Sequence, residues 1–286
     1  GGSFGSVERF GGAVGGGERQ RFLRAGGDGR IGLSANYLNF SELADETTLR
    51  LATARAAEFA SRHELPLTCA MSADINGHGW GCADILIDAG TPNLFACVHT
   101  HHGRYPLERP QPGFWWEAPS GRRLLVWSGE HYHHGNELGL APAAVSSYMT
   151  KDDCDAAMVY GDHRAVAERR IPRYVDHLRE LGHPWEFAPV MVSGLRSDNA
   201  PPSVGIRDFC MDWNQEHGER IRLSMVTLDE FFLRLRQSAV ELPRYRGDWP
   251  DWWSDGPAGD PVGVRLHRDA QRRRAALLAL SKQHPE

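Results

Sequence analysis

The stretch Leu67-Thr-Cys-Ala-Met-Ser-Ala-Asp-Ile-Asn-Gly-His-Gly-Trp80 decides how the rest of the chain is read. Its first half, Leu67 to Ala73, is a short apolar run bounded by turn residues, which is the signature of a strand buried on both faces. Its second half begins at once with Asp74, turns at Gly77 and returns with His78. The same plan recurs down the chain. LFACV runs into His99, RRLLVWSG into Glu130 and His131, and FAPVMVSG into Ser197 and Asp198. Where parallel strands close into a barrel, their C-terminal ends converge on one face and active sites are built there. A strand that ends in a carboxylate or an imidazole therefore aims chemistry at that face.

Working outward, strands are predicted over Ile31–Asn36, Leu67–Ala73, Leu94–Val98, Arg123–Ser128, Phe187–Ser193 and Ile221–Thr227. Helices are predicted over Asp45–His63, Trp80–Ala89, Ala156–Leu181, Ser203–His217, Leu228–Arg236 and Val264–Gln283. Thr227 followed by Glu230 has the spacing of a capping box for the helix it precedes. Strands alternating with helices predict a parallel sheet with crossover helices. The exception is Phe114–Ala118, Pro-Ser-Gly and then Arg123, which reads as a local hairpin. Residues 1–17 are dominated by glycine and carry almost no core-forming side chains, so a loop or fragment end is expected there. After Glu241 the Trp-, Asp- and Gly-rich RYRGDWPDWWSDGPAGDP reads as a loop leaving the main domain toward a basic helix.

Composition narrows the function. The chain has 286 residues and a formal net charge of -5 from 37 acidic and 32 basic side chains. That near balance, with no basic tract, argues against a nucleic-acid binder, and no apolar run approaches a membrane span. The five cysteines are scattered without C-x-x-C spacing, as expected of reduced thiols and a cytoplasmic setting. Half of the 14 histidines fall between residues 78 and 134, among several of the nine tryptophans.

Each polar motif supports more than one reading. Asp74 suits a nucleophile or a metal ligand, since carboxylate and imidazole donors fit Zn²⁺, and it equally suits a helix N-cap. His99 with His101, or His131 with His133, would share one face of an extended segment and could chelate a metal. They could also contact substrate or simply build loops. Trp80, Trp116 and their neighbours offer faces for sugar rings, or core packing. Carboxylates, histidines and tryptophans at one loop face together favour a carbohydrate site.

These motifs resemble the catalytic domain of glycoside hydrolase family 38, the α-mannosidases, particularly its bacterial members. Asp74, Gly77 and His78 match the Asp, Gly and His of the family's D-P-F-G-H motif; MVSGLRSDN resembles the strand and loop of its acid/base; and Tyr245 to Asp255 resembles its passage into a helical domain. The resemblance implies an α/β fold, an incomplete seven-stranded (β/α) barrel of the glycoside hydrolase/deacetylase type, over residues 1–240. It implies a Trp-rich connection and the first helix of a middle domain over 241–286. It further implies a retaining, metal-dependent glycosidase in which Asp74 is nucleophile and Zn²⁺ ligand and Asp198 is acid/base. The remaining zinc ligands, an H-x-D and a distant His in the family, would lie outside these residues. His78, Trp80, His99, His101, Trp116, Glu130 and His131 are the expected contacts to an α-linked sugar. A carbohydrate deacetylase-like hydrolase and a catalytically silent sugar binder are the rivals.

Overall fold

A computed structural model describes residues 4–38, 43–73, 77–97, 106–142, 150, 152, 161–194, 201–250 and 255–283. Its elements in chain order are α1 (Phe4–Ala13), α2 (Gly16–Gly27), α3 (Glu46–Arg62), β1 (Cys69–Ala73), β2 (Gly77–His78), α4 (Cys82–Asp88), β3 (Asn93–Cys97), a 3-10 turn (Pro106–Glu108), β4 (Gly113–Glu117), β5 (Arg123–Gly129), α5 (His134–Glu137), α6 (His163–Glu180), α7 (Gly205–His217), α8 (Leu228–Gln237), β6 (Arg244–Arg246), β7 (Trp249–Pro250), α9 (Asp255–Ala258) and α10 (Pro261–Gln283).

The strands β1, β3 and β5 are parallel neighbours, with Ala73 opposite Cys97 and Cys97 opposite Gly129. The expected hairpin is present, β4 lying antiparallel to β5. It occupies the outer side of β5, where a further parallel strand would be needed to continue a barrel. The described residues thus form an open mixed sheet of order β1-β3-β5-β4-β6, with β2 and β7 paired separately. The passage after Glu241 contributes β6 to that sheet, parallel to β4, and β7 to His78's strand.

Both sheet faces are covered, which explains the unbroken apolar runs. Ala70, Leu94, Leu124 and Val126 face Ala83 and Leu86 of α4. The alternate residues Cys69, Phe95, Leu125 and Trp127 face Phe231, Phe232 and Leu235 of α8. A satellite core joins Leu138 and Leu140 to Ala167 and Ile171 of α6 and Phe209 and Trp213 of α7. Thr227 caps α8 by accepting from Glu230 N, and Asp45 caps α3 by accepting from Thr48 N.

Three predicted strands lie outside any ladder, and in each of them side-chain amides or hydroxyls bond backbone groups of the packed segments. Along Ile31–Asn36, Ser34 Oγ accepts from Met71 N and Asn36 Nδ2 donates to Met71 O. In Phe187–Ser193, Asn136 Oδ1 accepts from Ser193 N and Gln111 Nε2 donates to Pro189 O. In Ile221–Thr227, the Asn214 amide bonds both N and O of Leu223. The glycine-rich start, expected as a loop, forms α1 and α2. Phe4 is fully buried and packs edge-on against Phe59 at 5.3 Å, and at Gly5 a β-carbon would sit 2.9 Å from Tyr37 O. Periodicity missed these helices because glycine supplies no stripe to read.

Among the described residues no helix is long and apolar enough to cross a membrane. Cys69, Cys82, Cys97 and Cys210 are free thiols. Burial pushes Cys69 up to about 12 and Cys82 to about 11, so neither is a reactive thiolate.

Candidate active site

Because Ala73, Cys97 and Gly129 stand in one register row, the chain leaves the three parallel strands along a single edge. Within the next two positions the sequence brings Asp74, His99 and Glu130. Asp74, Asp198, His99 and His101 lie outside the described residues; His78, Trp80, Trp116, Glu130 and His131 lie within them.

At the end of β1, the His78 ring is buried, with Nε2 2.9 Å from Ser72 Oγ. Trp249 lies 4.9 Å and Trp116 6.2 Å from it, centroid to centroid. Burial holds its pKa down at about 4, so the ring is neutral at pH 7. Trp116 is completely buried and its indole N–H donates to Gly247 O; it is a core residue with no face open to a sugar. Trp80 is partly exposed, but its indole N–H donates to Glu117 O and Arg246 covers its ring at 5.1 Å. These tryptophans build the wall behind His78.

The end of β5 is built differently. Glu130 is half-buried, and the next turns bury His131, His133, His134, Asn136 and Glu137. His133 N donates to His131 Nδ1, and His133 Nδ1 lies 2.7 Å from Ser193 Oγ. Asn136 clamps the neighbouring segment, accepting from Ser193 N and donating to Gly194 O. Arg170 of α6 donates to Asp152 through Nε and Nη2, both at 2.8 Å, and to Glu137 O. Tyr174, one helical turn on, packs its ring on His134 at 4.6 Å and donates to Glu130 Oε1 at 3.4 Å. His134 is held down at about 4, first by burial and then by the Arg170 charge. Tyr174 is held well above its usual range by burial of its hydroxyl end and by the Glu130 carboxylate.

Sequence reading found Glu130 and His131 here and missed Asn136, Glu137, Asp152, Arg170, Tyr174 and Gln111. Arg170 and Tyr174 carried a signal: they stand four apart in the α6 sequence beside Ile171, Val175 and Leu178, so they lie close to an apolar stripe.

The zinc expectation can be tested on the donors. Among the described residues, the strand-end histidines do not bring three ligand atoms to one point. The grouping that does is Glu168, Glu216 and His217, on the outer surface of α6 and α7. Arg164 already pairs with both of those glutamates. At the strand-end edge the described residues alone bring no three donors together, and no chemical step is derived through a metal.

No protein-family model matches this sequence, and neither does any curated protein. Among solved structures, an α-mannosidase from Enterococcus faecalis V583 superposes with a TM-score of 0.56 at 12% identity, over 81% of this chain and 24% of that one. An α-amylase from Thermotoga maritima gives a TM-score of 0.43 at 15% identity, over 83% and 52%, a likeness too loose to carry an argument. The chain thus spans about a quarter of the mannosidase's length. What the first likeness shows is the fold: a mixed α/β architecture shared with part of that α-mannosidase.

Proposed function

We propose that this chain is the sugar-cleaving part of a glycoside hydrolase, a retaining α-mannosidase of the family 38 type acting on α-linked sugars. The observation that carries the reading is the register row: three parallel strands end level, and the sequence sets Asp74, His99 and Glu130 within two positions of their ends in a fold shared with an α-mannosidase. The sheet is then part of an incomplete seven-stranded barrel, and Asp198 belongs to the segment that follows the run 187–194. Zinc with Asp74 as ligand belongs to the same proposal, with its other ligands outside the described residues.

In this reading an Asp74 carboxylate oxygen attacks the anomeric carbon as the bond to the leaving oxygen breaks. Asp198 gives its proton to that oxygen. Water then attacks the anomeric carbon of the glycosyl ester, losing its proton to Asp198 and releasing Asp74. The pair must stand about 5 Å apart for this double displacement. Neutral His78, fixed by Ser72 and the two indoles, is a buried support beside the strand-end edge. The Asp74→Asn variant of the full chain, assayed on 4-nitrophenyl α-D-mannoside, should lose at least ~1,000-fold in turnover. Retained activity would remove Asp74 from the chemistry, and acetate release from acetylated sugars without glycoside cleavage would favour the deacetylase-type rival.

A further inference from the structure

Behind Glu130 lies a chain of hydrogen bonds whose direction is fixed. Trp127, fully buried on β5, donates its indole N–H to Gln111 Oε1 at 2.6 Å. Indole can only donate, so this bond orients the Gln111 amide and turns Nε2 the other way. The two protons of Nε2 go to Pro189 O at 2.8 Å and to the Tyr174 hydroxyl at 2.9 Å. Having accepted there, Tyr174 directs its own proton onward, to Glu130 Oε1. Gln111 is fully buried and holds a left-handed backbone with φ of 53°. That conformation is unfavourable for a residue bearing a β-carbon and persists only where surroundings enforce it.

We infer that Trp127, Gln111 and Tyr174 are positioning residues that hold the Glu130 carboxylate as an acceptor for sugar hydroxyls at the strand-end edge. The inference rests on the proposed glycosidase reading for its ligand but not for the relay itself. Each of the three donors has an acceptor, and the chain runs from fully buried Trp127 and Gln111 through partly buried Tyr174 to half-buried Glu130, beside the row of strand ends. A donated hydrogen bond favours the ionised carboxylate, and an ionised carboxylate is acceptor-only, the complement of a pair of vicinal hydroxyls. Tyr174 keeps its proton through burial and the neighbouring negative charge, as a donor must.

The test is a double-mutant cycle on the full chain with Glu130→Gln, Tyr174→Phe and both together. Tyr174→Phe retains the ring that packs on His134. With 4-nitrophenyl α-D-mannoside, Tyr174→Phe should raise KM about tenfold while kcat falls less, and the double variant should be no worse than Glu130→Gln alone, because Tyr174 acts only through Glu130. Urea unfolding reads the same coupling without a sugar: the two substitutions should be non-additive by about tenfold in the unfolding constant. Additive effects in unfolding would overturn the relay whatever the kinetics show. Additive effects on KM, or an unchanged KM in Tyr174→Phe, would overturn its role in sugar binding. Coupling in unfolding with a wild type that neither binds methyl α-D-mannoside nor cleaves the nitrophenyl substrate would defeat the glycosidase reading and leave the positioning of Glu130 standing.

Discussion

At the end of β1, His78 has a serine for a hydrogen-bonding neighbour and indoles for walls. At the end of β5, three buried histidines sit among Arg170, Asp152, Asn136, Ser193 and Tyr174. Both ends begin from the same local script, an apolar strand followed by glycine and histidine, yet one is a dry aromatic box and the other a polar network. The difference lies in what the rest of the chain delivers. To β1 come β7 with Trp249 and the indole of Trp116 from β4. To β5 come α6 and the run before Gly194. A strand-end histidine thus acquires its chemistry from elements far away in sequence.

The contrast can be broken from the polar side first. Arg170 and Asp152 are almost wholly buried, at 2% and 3% side-chain exposure. Removing one partner strands a buried charge, so Asp152→Ala should destabilise the fold by about 3–5 kcal/mol in urea unfolding. An effect within that of an exposed ion pair would mean that the network does not hold the β5 end.

Acid provides the next probe, and it acts on both ends together. The His78 and His134 pKa values fall to about 4 in the fold, against about 6.5 unfolded. Between those values the unfolded chain binds more protons, so stability rises with pH across the window and is lost as pH falls from about 6.5 toward 4. Each ring contributes roughly 3 kcal/mol to that slope at most. Unfolding free energies at pH 5 and pH 7.5 should differ in this sense, and His134→Phe should remove part of the difference. A flat profile would show that both rings accept protons in place.

The smallest effect is expected at the dry end. Ser72→Ala removes the hydrogen bond between Ser72 and His78 and should cost about 1–2 kcal/mol, with the surrounding indoles keeping the ring in place. A much larger loss would make the β1 end a network as well.

The parallel strands, the β4–β5 hairpin and most helices were legible because their periodicity and caps are local. Phe187–Ser193 and Ile221–Thr227 were not, since Asn136 and Asn214 bond their backbone from outside the segment, and such a side-chain bond leaves no pattern in the segment it pairs with. At the site, Glu130, His131 and His78 could be read as strand-end residues. Trp116 was read as a sugar platform, yet it is core, since alternation along β4 and the Gly247 carbonyl decide its face. The relay through Gln111 and Tyr174 was invisible because it links residues 63 positions apart by geometry alone.

The most direct measurement is to trap the glycosyl-enzyme. The full chain, incubated with a slow fluorinated mannosyl fluoride and digested, should carry one glycosyl unit on the peptide spanning Leu67 to Trp80, at Asp74. A label on Glu130 or Asp198, or continued turnover with inversion of the anomeric centre, would contradict Asp74 as the nucleophile at the edge where β1, β3 and β5 end.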